Sequence, residues 1–239
     1  MPYNGRIHSF RAVKEDWELD NMRKAQKIAD KAFDEVLPKI KAGMSELELQ
    51  AELIYCMYKN GAHGLSFDPI VVSGPNTSLP HGVAGERKLQ EGDFITMDFG
   101  VLYNGYCSDM TRTVALGYAT EEMEKVYNTV LAAQAAGLAI TRAGVPGQEI
   151  DAAARKVITD AGYCPYFGHG YGHSLGLEIH EGPNPNALNP NPIPVRAVCS
   201  AEPGIYLPGR FGVRIEDCVI YTEDGYENLA TSPKNLIIL

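Results

Sequence analysis

Residues 94–113 read FITMDFGVLYNGYCSDMTRT, and the Asn104-Gly105 dipeptide at their centre sets how the stretch folds. Asn-Gly accepts the positive φ angles of a two-residue type I′ turn, and Tyr103 and Tyr106 flank it as strand residues. Such a turn pairs Tyr103 with Tyr106 and, counting outward, Asp98 with Thr111. Asp109 then lies two residues from the partner of Asp98, so both carboxylates leave one face of the ribbon, roughly 7–8 Å apart at the backbone. A bulge between them would break that parity.

A second stretch, SAEPGIYLPGRFGVRIED at residues 200–217, repeats the arrangement. Glu202 and Glu216 flank Leu207-Pro208-Gly209-Arg210. A three-residue loop at positions 208–210 places the two glutamates opposite each other, whereas a two-residue loop at 208–209 puts them on opposite faces. Acidic residues in strands ordinarily lie on a solvated face. These four sit among apolar neighbours, as in Ile95-Thr96-Met97-Asp98-Phe99 and Val213-Arg214-Ile215-Glu216. Burying several carboxylates together is prohibitive unless cations or protons neutralise them. Four carboxylates with one imidazole, which we take to be His173, suit two divalent cations of the Mn²⁺, Co²⁺, Fe²⁺ or Zn²⁺ type. The spacing excludes a Cys₂His₂ structural zinc site. The expectation is a metal-dependent hydrolase.

Outside these ribbons the chain repeats itself. Met22, Ala25, Ala29, Phe33, Val36 and Ile40 form a helical stripe over 15–41, and a second helix opens at Ser45 with Glu48 completing a capping box. In the second half Thr120 caps a helix with the stripe Met123, Val126, Tyr127, Val130, Leu131 and Leu138, ended by Ala143-Gly144. Another helix follows from about Gln148 to Asp160. At a constant offset of 101, Ala42, Gly43, Glu48, Ala51 and Gly61 match Ala143, Gly144, Glu149, Ala152 and Gly162. The order helix, helix, hairpin in each half reads as an internal duplication with the site between the halves. The Pro/Asn-rich segment 183–194 reads as a surface loop.

Composition narrows the function classes. Apolar residues make up 45% of 239, as in a soluble globular protein. The net charge of −9 and the lack of a basic run disfavour nucleic acid. No signal-type segment or membrane-length apolar run occurs, and the five scattered cysteines suit a reducing, cytoplasmic setting. Of the six histidines, His8 reads as chemically idle and His63 as structural. His81 sits in a Pro-Gly-bounded loop. His169 and His173 lie in Gly168-His169-Gly170-Tyr171-Gly172-His173, where glycines admit close backbone approach. His173 and His180, seven apart, share a face in a helix and oppose each other in a strand.

Taken together, these residues resemble the methionine aminopeptidase/prolidase/aminopeptidase P superfamily, whose catalytic domain has the duplicated α+β "pita-bread" fold. The resemblance runs from about Val13 to Leu239, and SGPNTSLPHGVAGERKLQEGDFITMDFGVLYNGYCSDMTRT is similar to the Xaa-Pro peptidase branch. It implies residues 13–239 as one catalytic domain, with halves at about 13–117 and 118–239, after an N-terminal segment 1–12 like the tail of a linker from a cap domain. By resemblance Asp98 chelates one metal, Asp109 and Glu216 bridge two, and His173 and Glu202 complete the second. His81 and His180 match substrate-contacting histidines that handle the tetrahedral intermediate, Arg214 matches an arginine that orients carboxylates, and His169 matches another pocket histidine. The resemblance implies two divalent ions, Mn²⁺ or Co²⁺ before Zn²⁺ or Fe²⁺, with Glu202 as general base. The implied substrates are short peptides or dipeptides cut before proline, with no membrane or nucleic-acid partner and a homodimer left open. A methionine aminopeptidase is the alternative, ahead of a metal-free creatinase-like enzyme or a non-catalytic peptide-binding member.

Overall fold

Helix α1 (Asp16–Val36) turns the first apolar stripe inward, burying Leu19, Met22, Ala25, Ala29, Phe33 and Val36. This computed structural model describes residues 9–239, so His8 and most of segment 1–12 lie outside the described residues. The helix is shorter than its stripe predicts. Pro38 has no N–H to continue the ladder, and a 3₁₀ turn (Leu37–Lys39) takes over. Helix α2 (Glu46–Lys59) opens with the expected box: Glu48 N–H donates to Ser45 Oγ (3.1 Å) and Ser45 N–H to the Glu48 carboxylate (2.6 Å).

Short strands β1 (Gly64–Leu65) and β2 (Ile70–Ser73) follow, then β3 (Phe94–Phe99), β4 (Val101–Tyr103), β5 (Tyr106–Cys107) and β6 (Met110–Ala115). They form two three-stranded sheets, β2-β3-β6 and β1-β4-β5. Helix α3 (Glu121–Ile140) is capped by Thr120, whose Oγ1 accepts the Met123 N–H (3.3 Å). It stops before the predicted Ala143-Gly144, because Thr141 leaves the helical region and hydrogen-bonds back to the Gly137 carbonyl. Helix α4 (Gly147–Asp160) leads to β7 (Val198–Ala201), β8 (Gly204–Leu207), β9 (Phe211–Arg214), β10 (Asp217–Tyr221) and β11 (Tyr226–Asn228).

The positions matched at an offset of 101 share backbone conformation: Gly43 and Gly144 both have φ +86°, and Gly61 and Gly162 have +101° and +86°. The residues capping α2 and α4, Ser45 and Pro146, each make an antiparallel bridge to a loop. One apolar cluster packs α1 and α2 against β3 and β6, and another packs α3 and α4 against the later strands.

The two sets of strands meet along a polar seam. Glu216 N–H donates to the Thr111 carbonyl (3.1 Å), and Thr113 Oγ1 donates to the Arg214 carbonyl (3.0 Å). Arg112, fully buried, pairs with Asp217 (2.7 Å), which Lys234 also reaches (2.7 Å). Residues 237–239 run beside 115–117, with Ala115 N–H donating to Ile237 O and Leu239 N–H to Ala115 O. No helix among the described residues is long and apolar enough to cross a membrane.

Candidate metal centre

The turn at Asn104-Gly105 has φ +49° and +85°, the positive pair of a type I′ hairpin, and Tyr103 pairs with Tyr106. The same register continues to Asp98 opposite Thr111. Between β3 and β4 the ribbon splits into two sheets at Gly100, where an added Cβ would sit 2.0 Å from the Ser108 carbonyl oxygen. That close approach, with Val101 N–H donating to Ser108 Oγ (3.0 Å), turns the chain while keeping the parity that sends Asp98 and Asp109 to one side. In the second hairpin Leu207 pairs with Phe211 and Gly204 with Arg214. The loop is therefore the three-residue alternative, and its register carried outward sets Glu202 against Glu216.

The histidine segment follows neither periodicity considered for it. His173 is fixed to β7 by two bonds: its N–H donates to Ser200 Oγ (2.9 Å), and its carbonyl accepts the Ser200 N–H (2.7 Å). Gly172 is required there, since a Cβ would meet Ser200 O at 2.0 Å. An isolated bridge between Ser174 and Glu181 then closes a loop that is neither helix nor strand. It returns His180 to His173, with ring centroids 4.4 Å apart, edge to face.

All nine residues singled out by sequence line one cavity of about 340 Å³: Asp98, Asp109, Glu202, Glu216, His81, His169, His173, His180 and Arg214. Carboxylate oxygens of Asp109 and Glu216 and a ring nitrogen of His173 lie within 4.8 Å of one another. Glu202 joins through His173 Nε2 (3.3 Å), whereas Asp98 is held to one side by Arg214. Three carboxylates show the same division of labour. Asp98 Oδ2 accepts from Arg214, Glu216 Oε2 accepts from Thr111 Oγ1 (2.6 Å), and Asp109 Oδ2 faces His173 Nε2 (3.4 Å). Their other oxygens, Asp98 Oδ1, Asp109 Oδ1 and Glu216 Oε1, are buried with no hydrogen-bond partner among the described residues. A buried, unsatisfied carboxylate oxygen is costly, and three in one cavity fit the donor set of a hard divalent cation.

Charge crowding has the expected effect. Burial, reinforced by Asp98 and Glu202, pushes Asp109 up to about 7 even though His173 opposes the shift. Burial and the neighbouring carboxylates raise Asp98 and Glu216 as well. His173 rises to about 9: burial opposes its cation, but Asp109 and Glu202 outweigh burial. Its Nδ1 lies 3.3 Å from the Ser174 carbonyl, an arrangement that directs Nε2 into the cavity. Burial and the His173 charge lower His180, and burial lowers His169.

Arg214 donates to Asp98 Oδ2, Thr111 Oγ1 (3.1 Å), the Pro80 carbonyl (3.2 Å) and Tyr206 OH (2.8 Å). Tyr206 continues to His169 Nε2 (3.0 Å), which can accept because Nδ1–H serves the Gly170 carbonyl (2.9 Å). Sequence reading missed Tyr206, although strand alternation from Glu202 through Gly204 reaches it. It also assigned segment 183–194 to the surface, yet Asn184 and Asn186 form part of the cavity wall. Asn184 is drawn inward by accepting the Ser174 N–H (2.8 Å). His63 stays outside, accepting the Asn104 N–H (3.2 Å) and packing on Tyr103.

A family model described as metallopeptidase family M24 matches residues 20–223. An uncharacterized peptidase of Bacillus subtilis, YqhT, is 44% identical over all 239 residues, which cover 68% of that protein. The Xaa-Pro dipeptidase of Pyrococcus furiosus is 39% identical over 231 residues, 97% of this chain and 66% of that protein. The crystal structure of an X-Pro aminopeptidase from Thermotoga maritima superposes with a TM-score of 0.97 at 43% identity, covering 99% of this chain and 67% of that one. The chain thus spans about two thirds of the length of these relatives, and its α+β architecture is the pita-bread fold.

Proposed function

The chain belongs to metallopeptidase family M24, and on that premise we propose that it hydrolyses the Xaa-Pro bond at the N-terminus of short peptides. The observation that carries the reading is the trio of buried, unpartnered carboxylate oxygens beside His173 in one cavity. Asp98, Asp109, His173, Glu202 and Glu216 would hold two divalent cations, with Mn²⁺ or Co²⁺ the best match to a carboxylate-rich set. Bound there, the pair would polarise the scissile carbonyl and bring the attacking water's pKa toward neutrality.

The protein's own groups supply the rest. Glu202, whose Oε1 accepts from Ser200 Oγ (3.0 Å), would take the proton of the attacking water and pass it to the leaving nitrogen. For a bond before proline that nitrogen leaves as a secondary amine, so it needs the proton. His180, held below the ordinary imidazole range, is neutral at pH 7 and would donate one N–H to the developing oxyanion, with His81 in the same cavity as a second substrate contact. Arg214 would oppose the protonation of Asp98 and keep its carboxylate aimed. Phe67, Ile70, Pro80 and Ile179 give the cavity an apolar wall suited to a pyrrolidine ring. Residues 13–239 would act as one catalytic domain in the cytoplasm, a setting consistent with five free cysteines. They would bind peptides rather than nucleic acid or membrane, and a homodimer is compatible with this role.

The test is hydrolysis of Ala-Pro, Ala-Pro-Ala and Met-Ala-Ser by chelated protein, before and after adding Mn²⁺ or Co²⁺. Metal-dependent cleavage before proline is expected. Cleavage of the methionine peptide alone would transfer the assignment to a methionine aminopeptidase, and two bound metals without any cleavage would reject the peptidase reading.

A further inference from the structure

The His180 ring has no hydrogen-bond partner among the described residues; its place is set by its backbone and by the edge-to-face His173 ring. That backbone belongs to the closed loop 174–181, whose last residue is Glu181. The Glu181 side chain is only 3% exposed, and it leads away from the cavity toward the N-terminal segment. There its carboxylate receives Arg11 Nη2 on Oε1 and Lys14 Nζ on Oε2 (3.3 Å). The Lys14 side chain is 1% exposed, so the pair is sealed from water.

The same carboxylate also organises the loop itself. Glu178 N–H donates to Glu181 Oε1 (3.1 Å), and Glu181 N–H donates to the Ser174 carbonyl (2.7 Å). Gly176 passes so close that a Cβ would lie 2.9 Å from Glu181 Oε2 and 3.0 Å from Lys14 Cε. Lys14 is anchored in turn through its main chain, its N–H donating to Arg196 O (3.2 Å) and its carbonyl accepting from Arg196 Nε. A buried ion pair tolerates little displacement, since separating the partners leaves an uncompensated charge in a low dielectric.

We propose that Glu181 is a positioning residue for His180, and that Arg11 and Lys14, which precede helix α1, act through it on the cavity. The proposal rests on the peptidase reading only for the role of His180; the mechanical linkage stands apart from it. A loop whose two feet carry His173 and His180 is clamped at Glu181, so loosening the clamp displaces His180 while His173 stays bound to Ser200 on β7. Misplacement of a reacting group by about 1 Å can cost roughly 100-fold in rate.

The experiment compares wild type, Glu181→Gln, Lys14→Met, Arg11→Gln, His180→Ala and the double variant Glu181→Gln/His180→Ala. It measures kcat and KM on Ala-Pro-Ala with Mn²⁺, and amide hydrogen exchange across residues 174–181. Glu181→Gln and Lys14→Met should lower kcat about 10- to 100-fold with KM within about twofold, and accelerate exchange in the loop. Arg11→Gln, at the more exposed arm, should give a smaller loss and keeps the test alive if the buried variants fail to fold. In the His180→Ala background Glu181→Gln should cost less than about twofold more, since the group it positions is gone. Equal losses in both backgrounds, or an unchanged loop exchange rate, would overturn the proposal. If wild type cleaves no peptide, the peptidase reading falls while the exchange data still decide whether the clamp holds the loop.

Discussion

Loading the metal-free protein with Mn²⁺ should expel protons, in a number that depends on pH in a defined way. Nε2 of His173 can ligate only when neutral, yet its pKa is raised to about 9 by Asp109 and Glu202. Asp109 must be ionised, yet burial and its acidic neighbours lift it to about 7. At pH 7.5 His173 is almost fully protonated and Asp109 about a quarter so, giving release of about one proton from this pair; at pH 6 the pair gives about two. Apparent affinity should therefore rise at least about tenfold per unit between pH 7 and 9, and at least about 100-fold per unit below pH 6.5, because the raised Asp98 and Glu216 must also lose any proton they hold. Calorimetric titration of the chelated protein in buffers of differing ionisation enthalpy counts the protons directly. His173→Ala should weaken binding and take the imidazole's proton out of the count, offset in part because Asp109, no longer opposed by His173, holds its own proton more tightly. Affinity independent of pH between 6 and 9, or no proton release at pH 7.5, would show that these carboxylates and the imidazole do not form the ion's ligand set.

Three further outcomes follow from the same geometry. Both raised groups in the metal-free protein stabilise the fold in their protonated forms, so His173 contributes fully below its unfolded value and loses that contribution as pH rises toward 9, while the Asp109 contribution fades toward 7; thermal unfolding of chelated protein should fall from pH 6.5 to 9, and a flat profile would contradict the shifts. Arg112→Met removes the buried guanidinium that serves Asp217 and the carbonyls of Thr111, Glu216, Ser232 and Pro233, costing about 3–5 kcal/mol and lowering Tm by roughly 10 °C in a melting curve; a wild-type Tm would mean that Lys234 and Asn228, the other partners of Asp217, suffice. Gly172→Ala forces the backbone away from Ser200 O and should abolish Mn²⁺ binding in the same titration, and retained binding would show that His173 does not need this close approach.

What the sequence made legible was parity. Asn104-Gly105 admits one turn, that turn fixes one register, and the register carries Asp98 and Asp109 to one face without any tertiary information. The second ribbon was half legible: nothing local chose between two- and three-residue loops at Pro208-Gly209-Arg210. Only the requirement that Glu202 and Glu216 converge favoured the odd length found. The histidine loop was illegible because its shape comes from elsewhere: Ser200 holds one foot and the N-terminal cations hold the other, both far away in sequence. Tyr206 was overlooked for a plainer reason, since a strand tyrosine ordinarily serves as packing until a charged partner such as Arg214 is known to lie across from it.

The pairing of residues 237–239 with 115–117 has a consequence for how the chain is made. Strand β6 lies at the edge of its sheet, and the segment that runs beside the end of that edge emerges from the ribosome more than a hundred residues later. At synthesis rates of roughly 5–20 residues per second, that end of β6 stays open for several seconds, during which its unpaired backbone can template another chain. The nascent first half is therefore the stage most in need of a chaperone. Chains stalled on the ribosome near residue 150 should aggregate far more readily than chains in which residues 237–239 have emerged and can pair with 115–117.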